Sequence, residues 1–361
     1  MAITAISLFS GCGGMDLGAE RSGARIVFGN DVLPDAAATH RALFPGSQFV
    51  EGPVGDVSHF PSGSLVLGGY PCQSFTLGGR RRPSTDKRSL LYVQFARCVD
   101  QLSPKYFVAE NVTGMKGLEG GKWLQQQLQL FVDLGKHGYR LTAKLVKAED
   151  FGVPQRRRRL FIVGVRRDLN KRYRFPSPTH SKRDPDLKPL ASHGDAIAHL
   201  PLWPDGEFYE RPHDPEGHWA WWYMSRNRKA RWDDPSFTIV SNPRHITLHP
   251  ASETMSLTWS NLADGFKQRW DFSGTYEHTL NHPERKVLDS PRRLSWREAA
   301  VIQTFPDGFE PSGDLYRKFE QIGNAVPPLL AEAILRPIVS GSGLIKDLSE
   351  EPGESNVALV I

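Results

Sequence analysis

The chain predicts an α/β fold, a doubly wound and mainly parallel sheet accompanied by a second, smaller, loop-rich domain. Three observations carry that expectation. Residues 1–165 alternate short apolar runs with amphipathic segments, and a glycine-rich turn follows the first apolar run. From residue 172 the texture changes to frequent proline, with aromatic and basic residues interleaved. At 361 residues the chain exceeds the usual size of one domain, and its 39% hydrophobic content suffices for a real core.

Taken in order, the strand candidates are Ala5–Phe9, Arg25–Phe28, Leu65–Leu67, Tyr106–Ala109, Tyr139–Ala143 and Leu160–Val165, each short, apolar and rich in β-branched or aromatic residues. Helix candidates lie between them, near 16–22, 34–43, 89–102 and 122–135. Ligands of such folds bind beyond the carboxyl ends of the strands, where the chemically suggestive Gly11, Asp31, Cys72 and Glu110 fall. The organisation expected is 1–171, a loop-rich module at 172–290, a return segment at 291–339 and a mobile Ser/Gly/Glu-rich tail at 340–361. In the return segment, Ser295–Ile302 and Pro327–Ile338 have helical spacing, with prolines in the first turn of the latter.

Composition narrows the function. The net charge of +5 is a modest excess, but it is clustered in Arg80–Arg82, Arg156–Arg159, Arg166–Arg167 and Arg226–Lys229. Arginine clusters suit phosphates and guanine edges. Three cysteines, Cys12, Cys72 and Cys98, without CxxC spacing argue against a disulfide framework or a zinc site. The N-terminus lacks a basic stretch before its apolar run, and no apolar stretch reads as membrane-spanning, so a cytoplasmic protein is expected.

The motifs carry the chemistry. Phe9-Ser10-Gly11-Cys12-Gly13-Gly14 opens a helix, and its glycines permit tight turning and close approach of backbone N–H groups to a ligand. Asp31 closes the next strand, where a carboxylate reaches ribose hydroxyls. Cys72 follows a buried strand and Pro71, with arginines just beyond, a setting that favours the nucleophilic thiolate. Glu110 closes another strand and would supply a proton at the same sheet edge. Gln155-Arg156-Arg157-Arg158-Arg159 precedes a strand, so alternation is expected to put Arg157 and Arg159 on one side.

With these residues in view, the chain resembles the S-adenosylmethionine-dependent DNA cytosine-5 methyltransferases of prokaryotic restriction–modification systems. The matching motifs are Phe9–Gly14, Pro71-Cys72-Gln73, Glu110-Asn111-Val112, Gln155/Arg157/Arg159, Arg293-Leu294-Ser295 with Glu298, and Gln321–Val326, in the family's order. The resemblance implies a Rossmann-like class I methyltransferase fold with a catalytic and cofactor-binding domain at 1–171 and a target-recognition domain at 172–290. It implies that Cys72 attacks C6 of a flipped cytosine, that Glu110 protonates N3, that Arg159 holds O2 and that Arg157 supports the pocket or the adjacent phosphate. S-adenosylmethionine, leaving as S-adenosylhomocysteine, would contact Phe9, Gly11, Gly13, Asp16, Leu17, Asp31, Val32, Asp56, Val57, Leu91, Asn324 and Val326. Val32 departs from the family, where a larger aromatic residue often packs on the adenine.

Double-stranded DNA would be held by Gln73, Thr76, Arg80, Arg81 and Arg82 in the loop after Cys72, and by Arg226, Arg228 and Arg244. The cluster Trp219–Tyr223 is expected to form the core of the small module. The family implies a monomer associated with the nucleoid; a cognate restriction endonuclease would act separately, and an orphan regulatory methyltransferase or a phage enzyme fits the residues equally. Two other readings fit less well. A tRNA cytosine-5 methyltransferase would carry a Cys-Phe-Thr signature that this chain lacks, and an inactive DNA-binding homologue would have lost Cys72 or Glu110.

Overall fold

The computed structural model describes residues 3–70, 91–112, 121–210, 219–259, 268–277, 287–346 and 356–360. By contact the chain divides into two compact units. Unit 1 comprises Met1–Phe151, Arg158–Pro178 and Ala325–Ile361, and unit 2 comprises Gly152–Arg157 and Thr179–Asn324.

Unit 1 is built on a sheet of eight strands, which are β1 (Thr4–Leu8), β2 (Arg25–Asp31), β3 (Gln48–Glu51), β4 (Leu65–Gly68), β5 (Tyr106–Val112), β6 (Tyr139–Lys147), β7 (Arg158–Arg166) and, from the tail, β12 (Val357–Val360). Their order is β12-β6-β7-β5-β4-β1-β2-β3. Only β7 runs against its neighbours, so the sheet is mainly parallel, as its long apolar runs demand. The helices are α1 (Gly14–Arg21), α2 (Pro34–Leu43), α3 (Leu91–Leu102), α4 (Lys122–Val132) and α9 (Pro328–Val339). The strand order reverses between β4 and β1, the place where open α/β sheets bind ligands.

The core is aromatic. Phe95 packs on Phe107 at 5.8 Å and on Phe131 at 5.7 Å, and Phe107 packs on Tyr139 at 5.0 Å. Phe9 and Tyr70, at the strand ends, meet edge to face at 6.4 Å. The Tyr70 hydroxyl donates to Gln127 Oε1 of α4 at 2.7 Å, which satisfies both buried groups. Helix α9 lies so close to α1 that a Cβ on Gly18 would sit 2.4 Å from Ala331 Cβ.

Unit 2 holds short elements, α5 (His193–Ile197), α6 (Trp221–Met224), the hairpin β9 (Met255–Trp259) with β10 (Gln268–Phe272), α7 (Trp296–Ile302) and α8 (Leu315–Asn324). Its centre is polar and aromatic. The buried Arg292 grips Glu298 through Nη1 at 2.9 Å and Nη2 at 2.7 Å, and Glu298 also closes a capping box with Ser295. The Arg293 guanidinium is enclosed by the rings of Tyr223, Trp219 and Tyr209 at 4.4, 4.6 and 5.2 Å.

Several expectations are corrected here. Residues 291–324 cluster with unit 2, because Arg292, Arg293 and Glu298 make their buried contacts there. Residues 172–178 stay with unit 1, where the Tyr173 hydroxyl donates to the Ile334 carbonyl at 2.8 Å. The tail expected to be mobile supplies two strands. β11 (Leu344–Lys346) pairs with β8 (Lys171–Tyr173), and the apolar β12 extends the large sheet beside β6. The Trp219–Tyr223 cluster is split, with Trp219 and Tyr223 in the module's core and Trp221 and Trp222 exposed. The run Leu315–Val339 does have the length and mean hydropathy (1.2) of a membrane-crossing helix, but it is broken into α8 and α9 and 56% of its apolar window is buried.

Candidate active site at the carboxyl edge of the sheet

The strand register assembles the site. Leu8 pairs with Asn30 on one side and Gly68 on the other, and Gly68 pairs with Ala109. One residue further along each parallel strand come Phe9, Asp31, Gly69 and Glu110, which therefore form a row across the carboxyl edge. Gly69 adjoins the acid, since a Cβ there would stand in ordinary contact, 3.5 Å, with Glu110 Oε2.

Arg159 reaches the same row from the antiparallel strand β7. Val112 pairs with Arg159 and Glu110 with Phe161, so Glu110 and Arg159 share a face. Arg159 Nε meets Glu110 Oε1 at 2.8 Å, with the two side chains only 15% and 11% exposed. Burial pulls the Arg159 guanidinium below its ordinary value, and the Glu110 carboxylate opposes that shift. The arrangement is an acid beside a fixed cation in a nearly dry site, suited to exchanging a proton with one atom of a planar base while holding another.

The glycine loop is shaped by three left-handed residues, Phe9 at φ +54°, Gly11 at φ +55° and Gly13 at φ +82°. The Gly11 N–H donates to Asp31 Oδ2 at 2.8 Å and the Leu33 N–H to Asp31 Oδ1 at 3.0 Å, which fixes the carboxylate above the turn. Burial pushes the Asp31 carboxyl up, against those backbone hydrogen bonds. Among the described residues nothing lies within 4 Å of the place a Gly11 Cβ would occupy, so that side of the loop is open to them. Val32 beside it is 59% exposed, an apolar side chain without cover. Asp56 is exposed on a turn clamped by Arg97, whose guanidinium donates to the carbonyls of Val54 at 2.8 Å and Val57 at 2.9 Å. A carboxylate, an open glycine cradle and an apolar ledge fit an adenosyl group. Arg97 carries no motif signal, so its role was not legible in the sequence.

Other expected contacts stand elsewhere. The Asp16 side chain is wholly buried, accepting from Ser7 Oγ at 2.6 Å and from His40 Nε2 at 2.8 Å, so its carboxylate is an internal anchor and not a ligand contact. Leu17 and Leu91 are half-buried, while Val57 and Val326 are buried. Asn324 is exposed at the end of α8 in unit 2. Arg157 precedes β7 instead of alternating within it. It is 1% exposed in unit 2, donating to the carbonyls of Ile239 at 3.2 Å and Gly323 at 3.0 Å, which makes it a buried backbone anchor. Cys72, Gln73, Thr76, Arg80, Arg81 and Arg82 lie outside the described residues.

On unit 2, Arg226 is exposed. Arg228 is pinned, with Nε donating to the Tyr223 carbonyl at 2.9 Å and its guanidinium 4.7 Å from the Tyr223 ring, and burial pulls it below its ordinary value. Arg244 is exposed and donates to the Tyr316 hydroxyl at 3.1 Å. His245 packs on the exposed Trp222 with ring centres 4.5 Å apart and the planes tilted by 50°. Burial and the charges of Arg228, Arg293, Arg226 and Arg244 hold its imidazole below the ordinary value. The surface is thus cationic with aromatic plates, a pairing suited to a polyanion with stackable bases.

The family described as C-5 cytosine-specific DNA methylase matches residues 3–340. The chain is 37% identical to the Type II methyltransferase M.BsuRI of Bacillus subtilis, covering 94% of this chain and 79% of that protein. It is 34% identical to the Type II methyltransferase M.MthTI of Methanothermobacter thermautotrophicus, covering 92% and 96%. Among solved structures, a putative DNA modification methyltransferase encoded within a prophage (E. coli) superposes with a TM-score of 0.64 at 24% identity, covering 94% of this chain and 99% of that one. The Dnmt2 methyltransferase of S. pombe superposes with a TM-score of 0.59 at 16% identity, covering 95% and 99%, and at these identities the likeness speaks for the fold.

Proposed function

The chain belongs to the C-5 cytosine-specific DNA methylase family, and from there we propose that it methylates C5 of a flipped cytosine within one short double-stranded DNA sequence, using S-adenosylmethionine. Relatives named Type II methyltransferases support a protective role beside a cognate restriction endonuclease that acts separately. The enzyme would work as a monomer on DNA in the cytoplasm.

The observation that carries the reading is the Glu110–Arg159 pair in one row with Phe9 and Asp31. S-adenosylmethionine supplies an electrophilic methyl group when bound. Asp31 would take its ribose hydroxyls, Gly11 and Gly13 would let the backbone approach closely, Val32 would lie on the adenine and Asp56 would meet the adenine amino group. Arg159 would hold O2 of the base and orient N3 toward Glu110.

C5 of cytosine is too electron-poor to attack a methyl donor unaided. The Cys72 thiolate forms a bond to C6 while Glu110 gives a proton to N3, and the C5–C6 pair of electrons becomes available at C5. Delivering the proton avoids building negative charge on the ring. After methyl transfer the C5 proton leaves to a base or a water molecule, the C5–C6 double bond re-forms, Cys72 departs and N3 returns its proton to Glu110. Extruding the base from the duplex costs a few kcal/mol, drawn from contacts to the phosphates.

The test is bisulfite sequencing of DNA from cells expressing the protein beside a Cys72→Ser control. Methylated cytosine at one short motif, absent from the control, is expected. Unmethylated DNA from a folded protein that binds S-adenosylmethionine would overturn the reading.

A further inference from the structure

We propose that Asp16 and His40 form a buried positioning pair that sets the affinity of the glycine loop for the cofactor; the inference rests on the cofactor reading above. Asp16 stands in the first turn of α1, where a carboxylate complements the helix dipole. Its two oxygens are both engaged inside the protein, Oδ1 by Ser7 of β1 and Oδ2 by His40 of α2. Both partners of the Asp16–His40 pair are 0% exposed. One carboxylate therefore ties the first strand, the loop helix and the second helix together without touching solvent.

The His40 ring is held between Phe44 at 4.5 Å and Phe49 at 4.7 Å. Its Nδ1 is buried and has no hydrogen-bond partner among the described residues. An apolar ring would fill the same slot without that cost, so the distinctive contribution of the histidine is its Nε2 contact with Asp16. The pair also supports the loop from beneath. A Cβ on Gly13 would lie 2.5 Å from Phe44 Cε2 and 3.4 Å from His40 Cδ2, so the left-handed Gly13 rests directly on this ring stack. Gly13 in turn donates to the Ser10 carbonyl at 3.0 Å, and Ser10 donates to the Asn30 carbonyl at 3.0 Å. Gly11 between them holds Asp31. A shift of α1 released by the loss of His40 thus reaches the Gly11 amide and the Asp31 carboxylate together.

The experiment measures S-adenosylmethionine and DNA affinities separately by calorimetry on the full chain, with melting curves, for His40→Phe, His40→Gln, Ser7→Ala and Asp31→Ala. His40→Phe should weaken the cofactor about tenfold and leave DNA affinity within about twofold, while His40→Gln, which keeps a donor in reach of Asp16, should recover most of the loss. Ser7→Ala removes one of the two bonds and should weaken the cofactor about threefold, which decides the matter should His40→Phe not fold. Cofactor binding equal to wild type in the folded variants overturns the inference, as does a loss that His40→Gln shares fully with His40→Phe. So does a parallel loss of cofactor and DNA binding that tracks the melting point. If Asp31→Ala leaves cofactor binding intact, the cofactor reading itself is what fails.

Discussion

Replacing Glu110 with Gln changes one functional property and little else. The amide keeps an acceptor oxygen for Arg159, now 2.8 Å from the carboxylate, and fills the same volume beside Gly69. What is lost is the negative charge and the exchangeable proton. The hydrogen bond falls from charge-assisted to neutral strength, a change of about 1 kcal/mol, and Arg159 keeps a less compensated charge in a site that still has some solvent contact. The stability cost is therefore about 1–2 kcal/mol. Removing a positioned general acid costs about 100- to 10,000-fold in rate, or about 3–5 kcal/mol of barrier. Chemistry should thus fall much further than stability. Single-turnover transfer of a tritiated methyl group, read beside melting and DNA affinity, separates the two. Arg159→Ala should lose in both measurements, and the double variant should lose less rate than the sum of the single losses, because the pair acts as a unit. A Glu110→Gln enzyme within about tenfold of wild-type rate would refute the assignment of Glu110 as proton donor.

Three further outcomes follow from the geometry. Gly18→Ala gains about 1 kcal/mol of helix propensity but places a methyl 2.4 Å from Ala331 Cβ and 2.7 Å from the Pro328 carbonyl, so overpacking of about 1–3 kcal/mol should win and the melting point should fall; a rise would show that α1 and α9 part without cost. Arg226→Ala and Arg244→Ala should each lower the slope of log Kd for DNA against log salt by about 1, whereas Arg228→Ala should act mainly by lowering the melting point, because that guanidinium is spent on the Tyr223 carbonyl and ring; unchanged salt slopes would remove the first two from the DNA surface. Burial holds His193 at about 4, below its ordinary 6.5, with its Nδ1 bound to the Asp234 carbonyl. The unfolded chain therefore takes up a proton first as pH falls, and stability is lost from about pH 6.5 down to about 4, amounting to about 2 kcal/mol at pH 5. His193→Asn should flatten that part of the curve between pH 7.5 and 5, as measured by melting against wild type, and an equal slope in both proteins would contradict it.

Much of this architecture was legible because local signals agree with the global fold. The runs at Leu65, Tyr106 and Leu160 are apolar on both faces, which is the signature of strands buried in a parallel sheet, and the helix expected near 34–43 spans Pro34–Leu43. β3 was missed because Gln48–Glu51 is a half-exposed edge strand with little apolar signal. β12 was missed because its Val-Ala-Leu-Val follows a polar, glycine-containing stretch that reads as tail, and only pairing with β6 gives it a partner. The strand-end positions of Asp31 and Glu110 were legible because each follows an apolar run. Asp16 was misread because a carboxylate in a ligand motif looks functional until its neighbours Ser7 and His40, distant in sequence, are seen to consume both oxygens. Arg157 was misread by extending strand alternation one residue too far, because β7 begins at Arg158.

The close seat of α9 on α1 has a consequence for how the protein comes into being. Ser22 Oγ meets the Glu332 carbonyl across 310 positions of sequence, and Arg336 reaches the Arg21 carbonyl across 315. During synthesis the first strands emerge long before the helix that covers them, while all of unit 2 is threaded between. The face of α1 that carries Gly18 and Ala19 must stay uncovered until α9 has been made and has emerged. Such long-range closure slows folding and leaves apolar surface exposed to aggregation meanwhile.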